Sequence, residues 1–237
     1  MKARNRKSFL RLLTILMMAG MSSVALAADV DVFAEGAYTT TALEVHIFAK
    51  INADNLCSYG VTLNYDPGKL TAGTATKNDN VWYFGTTSAK QPYMNPDTST
   101  PGKIVFIGGK LDTGSPTAGV TGTRVLLGKA TFTRKDSNSP GTTPETYFGI
   151  SLTLGKADPY DNFVTTVGAV KDGAGVAFNT ANMVRERGDA NGDKAINSTD
   201  YTGIRNLLGT PNPPPYADCN GDGLVNSTDY TCVRNKL

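Results

Sequence analysis

Hydrophobic and polar residues alternate along much of the chain up to about residue 180, and a repeated polar pattern then takes over. Leu43, Val45, Ile47, Ala49 and Ile51 alternate with Glu44, His46, Phe48 and Lys50, the period of two that marks a strand with one buried face. Val61, Leu63 and Tyr65 repeat it, and Asp66-Pro67-Gly68 supplies a turn. Further strands are predicted at Val81 to Phe84, Ile104 to Ile107, Leu126 to Arg134, Phe148 to Leu154, Val164 to Val170 and Val176 to Phe178. Glycines and prolines punctuate the gaps, and no useful helical period appears before residue 199. Short, regularly spaced strands of this kind predict a β-sandwich. In this pattern His46 faces solvent, and the aromatic cluster Trp82, Tyr83, Phe84 either fills the core or stacks on sugar rings.

From Gly188 onward a twelve-residue pattern of oxygen donors is written twice. Asp189, Asn191, Asp193, Asn197 and Asp200 stand at positions 1, 3, 5, 9 and 12 of the first copy. Asp218, Asn220, Asp222, Asn226 and Asp229 repeat them 29 residues later. A calcium-binding loop puts side-chain oxygens at these places, and position 7 (Ala195, Leu224) gives only its carbonyl. Three aspartates within each loop repel one another unless a cation neutralises them. The predicted cofactor is therefore two Ca²⁺ ions, one per loop. A short helix follows each loop, with Ile196, Tyr201, Ile204, Leu207, Leu208, Val225, Tyr230, Val233 and Leu237 as the core. So small a core is not secure alone, and metal binding can supply the missing folding free energy. Position 6 is Gly223 in the second copy but Lys194 in the first, where a left-handed backbone costs about 1–2 kcal/mol. The first site is expected to be the weaker. Asn197-Ser198-Thr199 and Asn226-Ser227-Thr228 also match the N-glycosylation sequon, which the ligand role of both Asn residues makes coincidental.

Residues 1–27 read as a secretory leader, with a basic start at Lys2, Arg4, Arg6, Lys7 and Arg11, an apolar run and a small-residue ending at Ala25-Leu26-Ala27. The run is too short to span a bilayer, and no later segment reaches spanning length. The mature protein is thus expected to be secreted and extracellular, with periplasmic or cell-surface placement as variants. Removing the five leader cations leaves 18 basic against 21 acidic residues. A mildly acidic chain without a basic stripe excludes nucleic acid as a partner. Three cysteines, Cys57, Cys219 and Cys232, are too few for a disulfide framework. Cys219 and Cys232 fall in one repeat, opposite Ala190 and Gly203 of the other, so a local bond between them is left to geometry.

Two family resemblances follow from these residues. Leu43 to Ile51 with Tyr59-Gly60-Val61-Thr62-Leu63-Asn64-Tyr65-Asp66-Pro67-Gly68-Lys69-Leu70 resembles the opening of a cohesin module, and Leu127-Gly128-Lys129-Ala130-Thr131-Phe132 is similar to a later cohesin strand. Carbohydrate-binding modules share that jelly-roll sandwich. Gly188 to Leu237, with two loops, two Ser-Thr-Asp helix starts and a Pro-rich connector at Pro211 to Pro215, resembles a type I dockerin. The resemblance implies folding on calcium and docking of a helical face on a cohesin. It places partner contacts at Ser198, Thr199, Arg205 and Asn206 and again at Ser227, Thr228, Arg234 and Asn235, so that either copy can meet the same partner.

The expected organisation is a leader (1–27), a mainly β cohesin-like jelly-roll sandwich (28–184), a linker at 185–187 too short for wide swinging, and a small α dockerin (188–237). The implied function is a non-catalytic assembly protein that binds a cohesin-bearing partner. Whether the front module receives a dockerin-bearing protein, binds a polysaccharide, which makes the chain a tethered carbohydrate-binding protein, or does neither stays open. No nucleophile elbow, zinc motif or histidine-containing triad is present, and Glu35, Glu44 and Glu145 lack a pairing as acid and base, so an enzyme is not expected.

Overall fold

The computed structural model describes residues 28–113, 117–155, 162–179, 181 and 183–237; the expected leader and its cleavage after Ala27 lie outside them. The elements in order are β1 (Val30–Tyr38), β2 (Ala42–Asn64), β3 (Leu70–Lys77), β4 (Phe84–Thr86), β5 (Ala89–Gln91), β6 (Lys103–Gly109), β7 (Leu111–Asp112) and β8 (Val120–Arg134). Then come α1 (Pro144–Phe148), β9 (Ser151–Leu154), β10 (Phe163–Thr165), β11 (Val170–Lys171), β12 (Val176–Asn179), β13 (Val184–Glu186), α2 (Asp200–Leu207) and α3 (Ser227–Arg234). The protein is mainly β, with its helices concentrated at the C-terminal end.

The two strands predicted at 43–51 and 61–65 are one strand. The first half of β2 pairs antiparallel with β1 and β8, and its second half with β6 and β9. The register breaks between Ile51 and Leu56, where the exposed polar run Asn52-Ala53-Asp54 interrupts the alternation. One long strand thus serves both layers of the sandwich. Val45, Ile47, Tyr59, Val61 and Leu63 are fully buried between them. Gly128 of β8 lets the layers close, because a Cβ there would stand 2.4 Å from the Phe106 ring of β6.

Trp82 is buried in that core, edge-on to Tyr59 at 4.7 Å, and donates its indole N–H to the Leu126 carbonyl at 3.3 Å. Its backbone is a turn and not the predicted strand, since the amides of Val81 and Trp82 both bond to the Asn78 carbonyl. Phe148 ends α1, and the left-handed Gly149 (φ 66°) terminates that helix before β9 begins at Ser151. The strand predicted at 164–170 is a hairpin of β10 and β11 that turns through Gly168 at φ 80°. β1 and β3 were not anticipated.

The solvent-facing reading of His46 is corrected. His46 is 4% exposed, with Nε2 at 2.8 Å from Glu44 Oε1, and Phe48 is fully buried beneath the Arg124 guanidinium at 3.8 Å. Burial of this outer face comes from β8 and from residues far along the chain, which period alone does not reveal. The segment expected as a linker continues the sheet: β13 pairs parallel with β1, matching Gly36 to Val184 and Tyr38 to Glu186. The Arg187 amide then bonds to the Tyr38 carbonyl at 2.9 Å.

Candidate functional site

Each acidic loop is folded by its own carboxylates. Asp189 accepts the amides of Gly192 (2.8 Å) and Lys194 (3.1 Å); Asp218 accepts those of Gly221 and Gly223, both at 2.8 Å. At the far end Asp200 accepts from Asn191 (3.1 Å) and Asn197 (2.8 Å), as Asp229 does from Asn220 (3.3 Å) and Asn226 (2.8 Å). Asn197 and Asn226 accept the amides of Thr199 and Thr228 at 2.8 Å. In the second copy this is a reciprocal capping box, in which Asn226 caps the helix and Asp229 bonds back to the Asn226 amide; in the first copy the same bonds are made, but the helix is capped at Thr199 without a side-chain cap bond. The Asn-Ser-Thr-Asp spacing carried that signal, which the ligand reading had absorbed.

The expected turn at position 6 is present in both copies, with Lys194 at φ 71° and Gly223 at φ 87°. Position 4 is also left-handed, with Gly192 at φ 81° and Gly221 at φ 77°. Ala195 and Leu224, at position 7, donate their amides to Asp193 and Asp222. Leu224 is 62% exposed, consistent with a position whose side chain is free to vary.

The loop electrostatics fit a hard divalent cation. Asp189, Asp200, Asp218 and Asp229 are all less than 5% exposed. Burial pushes Asp189 and Asp218 above the usual carboxylate range, against the opposing pull of their backbone amides. Asp193 and Asp222 are instead held low, first by the side-chain N–H of Asn191 and Asn220 at 2.9 Å and then by backbone amides. Among the described residues no three His, Cys, Asp or Glu side chains converge as a metal cluster. Two of the five side-chain donors in each loop are asparagines, and an amide N–H partners the middle carboxylate. An all-oxygen set with three carboxylates is suited to Ca²⁺ and not to a thiophilic metal.

Behind the loops lies a core of Ala190, Ile204, Ala217, Cys219, Val225 and Val233, with Tyr201 and Tyr230 at equivalent positions, their rings 5.7 Å apart. Leu208 (46% exposed) and Leu237 (64%) do not join it, contrary to expectation. The backbone leaves helical geometry at Leu208, which caps α2. Cys219 and Cys232 are bonded, with Cα atoms 5.8 Å apart, which settles the pairing that the sequence left open; Cys57 is free. In the first copy the same two places hold a close backbone contact. A Cβ on Gly203 would lie 2.8 Å from the Ala190 carbonyl carbon.

Ser198, Thr199, Arg205, Asn206, Ser227, Thr228, Arg234 and Asn235 are all exposed. The two threonine hydroxyls nevertheless turn into their loops, where Thr199 Oγ1 donates to Asn197 Oδ1 (2.7 Å) and Thr228 Oγ1 to Asn226 Oδ1 (2.9 Å). Each threonine therefore presents its remaining surface to solvent while its polar atom braces the loop. Sequence reasoning missed the residues that seat the loops on the sandwich. Arg187 donates to Glu44 Oε2 at 2.6 Å and to the Asp218 carbonyl at 2.8 Å. Arg185 stacks on Tyr216 at 4.2 Å, and Lys194 Nζ reaches the Thr142 carbonyl at 3.1 Å. Arg124, paired with Glu35, also donates to the Asn212 carbonyl in the Pro-rich connector at 3.4 Å.

Comparison with known proteins places this segment. Residues 187–237 match the family model for the dockerin type I domain. That segment resembles a type I dockerin. No curated protein matches the chain. The chain is similar to a chain in the crystal structure of the sixth cohesin from scaffoldin B of Acetivibrio cellulolyticus in complex with a dockerin, at 14% identity and TM-score 0.44, covering 64% of this chain and 99% of that one. It is also similar to the type III cohesin module of the ScaE cell-surface anchoring scaffoldin of Ruminococcus flavefaciens, at 11% identity and TM-score 0.42, covering 67% and 89%. A third likeness is to the seventh ScaB type I cohesin of Pseudobacteroides cellulosolvens, at 16% identity and TM-score 0.39, covering 63% and 87%. Among the described residues no helix is long and apolar enough to cross a membrane.

Proposed function

We propose that this chain is a non-catalytic extracellular assembly protein. Its dockerin takes up two calcium ions and docks on a cohesin-bearing partner within a polysaccharide-degrading or cell-surface complex. The observation that carries the reading is the duplicated loop and helix, in which both copies share one hydrogen-bond scaffold and expose the same contact residues. Asp189, Asn191, Asp193, Asn197 and Asp200 hold the first ion with the Ala195 carbonyl. Asp218, Asn220, Asp222, Asn226 and Asp229 hold the second with that of Leu224. Ser198, Thr199, Arg205 and Asn206, or their counterparts Ser227, Thr228, Arg234 and Asn235, meet the partner. The front module begins at residue 28 and runs through β13 to Glu186, with the dockerin directly after it; the front module is a cohesin-like receptor for another dockerin. The carbohydrate-binding alternative has less to draw on, since Trp82 and Tyr83 are buried, Phe84 is half-buried against Tyr93 at 5.1 Å, and among the described residues Tyr93, at 42% exposure, is the exposed large aromatic there.

The test is capture of cohesin-bearing proteins from the source secretome by the full chain, in calcium and in chelator. Calcium-dependent capture is expected, and it should fall further with D218N and D222N together than with D189N and D193N. Capture indifferent to calcium, or turnover of a cell-wall polysaccharide by the chain alone, would overturn the reading.

A further inference from the structure

Arg185 and Arg187 stand two residues apart where β13 leaves the sheet, so strand geometry sends both side chains to one side while Glu186 between them is exposed. Each reaches a different acidic loop. Arg187 Nη1 donates to the Asp218 carbonyl at 2.8 Å and lies 3.8 Å from Asp218 Oδ2. Arg185 Nη1 donates to the Ala190 carbonyl at 3.4 Å, next to Asp189. Both guanidinium groups also lie against the glycine at loop position 4. A Cβ on Gly192 would stand 2.8 Å from the Arg185 guanidinium carbon, and one on Gly221 would stand 3.2 Å from Arg187 Nη1. Both arginines are fixed from behind, Arg187 by Glu44 of β2 and Arg185 by the Tyr216 ring.

We propose that Arg185 and Arg187 are positioning residues, one for each calcium loop, which seat the loops on the sandwich and supply part of the positive charge the loops need when no ion is bound. The proposal rests on the calcium reading of these loops. A guanidinium beside the first aspartate of a loop lowers the repulsion among its carboxylates, as an ion does at closer range. It therefore matters most when calcium is absent. Because the arginines come from the sheet, a loop held this way keeps its place on the front module, and the docking helices keep a fixed direction relative to the sandwich.

Amide hydrogen exchange of the full chain, in calcium and in chelator, tests this at the amides that bond to Asp189 (Gly192, Lys194) and Asp218 (Gly221, Gly223). In chelator, R187Q should speed exchange at Gly221 and Gly223 about tenfold and leave the first loop unchanged. R185Q should do the reverse, and calcium should suppress most of either effect. R187K, which keeps the charge, should recover part of the loss. E44Q, which leaves both arginines in place, should loosen the second loop alone. Effects spread over both loops, or effects equal in calcium and in chelator while the wild-type loops themselves respond to calcium, would overturn the proposal and leave the arginines as general braces. Equal exchange of the wild-type loops with and without calcium removes the calcium assignment by itself. Loop-selective loss in R185Q and R187Q then still upholds the positioning role.

Discussion

The two acidic loops share every ligand position and nearly every internal hydrogen bond, yet they are held in different ways. The first turns through Lys194 at position 6, touches its helix through Ala190 and Gly203, and is seated by Arg185 stacked on Tyr216. The second turns through Gly223, is tied to its helix by the Cys219–Cys232 bond, and is seated by Arg187 paired to Glu44. Duplication has preserved the donor set, and divergence lies in the supports around it. The second loop is therefore braced by a covalent bond where the first has only a backbone contact.

The largest difference is covalent. Replacing the cystine by the first copy's own pair, C219A with C232G, makes the second loop resemble the first. A bond spanning 13 residues restricts the unfolded chain enough to stabilise by about 3 kcal/mol. Denaturant unfolding of the dockerin in calcium should show a loss of that order, and exchange at Gly221 and Gly223 should approach that at Gly192 and Lys194. A loss near zero would mean that the bond does not set the asymmetry. The reverse transplant, A190C with G203C, is expected to fail, because a Cβ at 203 already meets Ala190 backbone.

Legibility in the sequence followed the range of the forces involved. The alternation in β2 and the repeated spacing of the loops and their helices are local periodicities, and the strand and both loop–helix units emerged where expected. β1 was missed because Ala34, Gly36 and Ala37 dilute the contrast between its faces. Burial of His46 was not legible, since Glu44, its partner, is engaged by Arg187 from 143 positions away. The same distance hid the role of Arg185 and Arg187, which local composition assigns to a linker. The cystine was legible as an option only, because two cysteines in one repeat fix a spacing and not a geometry. The capping box at Asn226 and Asp229 was written in the sequence, but a side-chain oxygen that caps a helix and one that ligates an ion look alike in a motif.

Acid probes the next difference. Glu44 is lowered to about 2 by the His46 side-chain hydrogen bond and charge and by Arg187, against the opposing cost of its burial. A carboxylate whose folded value lies below its unfolded value stabilises fully above the unfolded value of 4.5, and that contribution disappears as the pH falls towards 2. Wild type should exceed E44Q by about 2 kcal/mol at neutral pH, with the gap closing between pH 4.5 and 2. Because Glu44 seats the second loop only, the gap should appear in the exchange of Gly221 and Gly223 and be absent at Gly192. A gap that persists unchanged at pH 2 would show that Glu44 acts through packing and not through its charge.

The smallest difference is one side chain at position 6. Lys194 sits at φ 71°, where a residue with a Cβ is strained and glycine is not. Its ammonium recovers part of that cost by donating to the Thr142 carbonyl of the sandwich at 3.1 Å. This is an exposed bond, worth less than the backbone strain it offsets. K194G should therefore raise the calcium affinity of the first loop about threefold to tenfold, equivalent to about 1 kcal/mol. Calcium titration of the full chain, with K194A as the companion variant, separates the two terms. Alanine removes the tether and keeps the strain, so it should bind more weakly than wild type, while glycine binds more tightly. Were both variants weaker, the tether to Thr142 would outweigh the backbone, and the first loop would be the one whose ion site depends on contact with the sandwich.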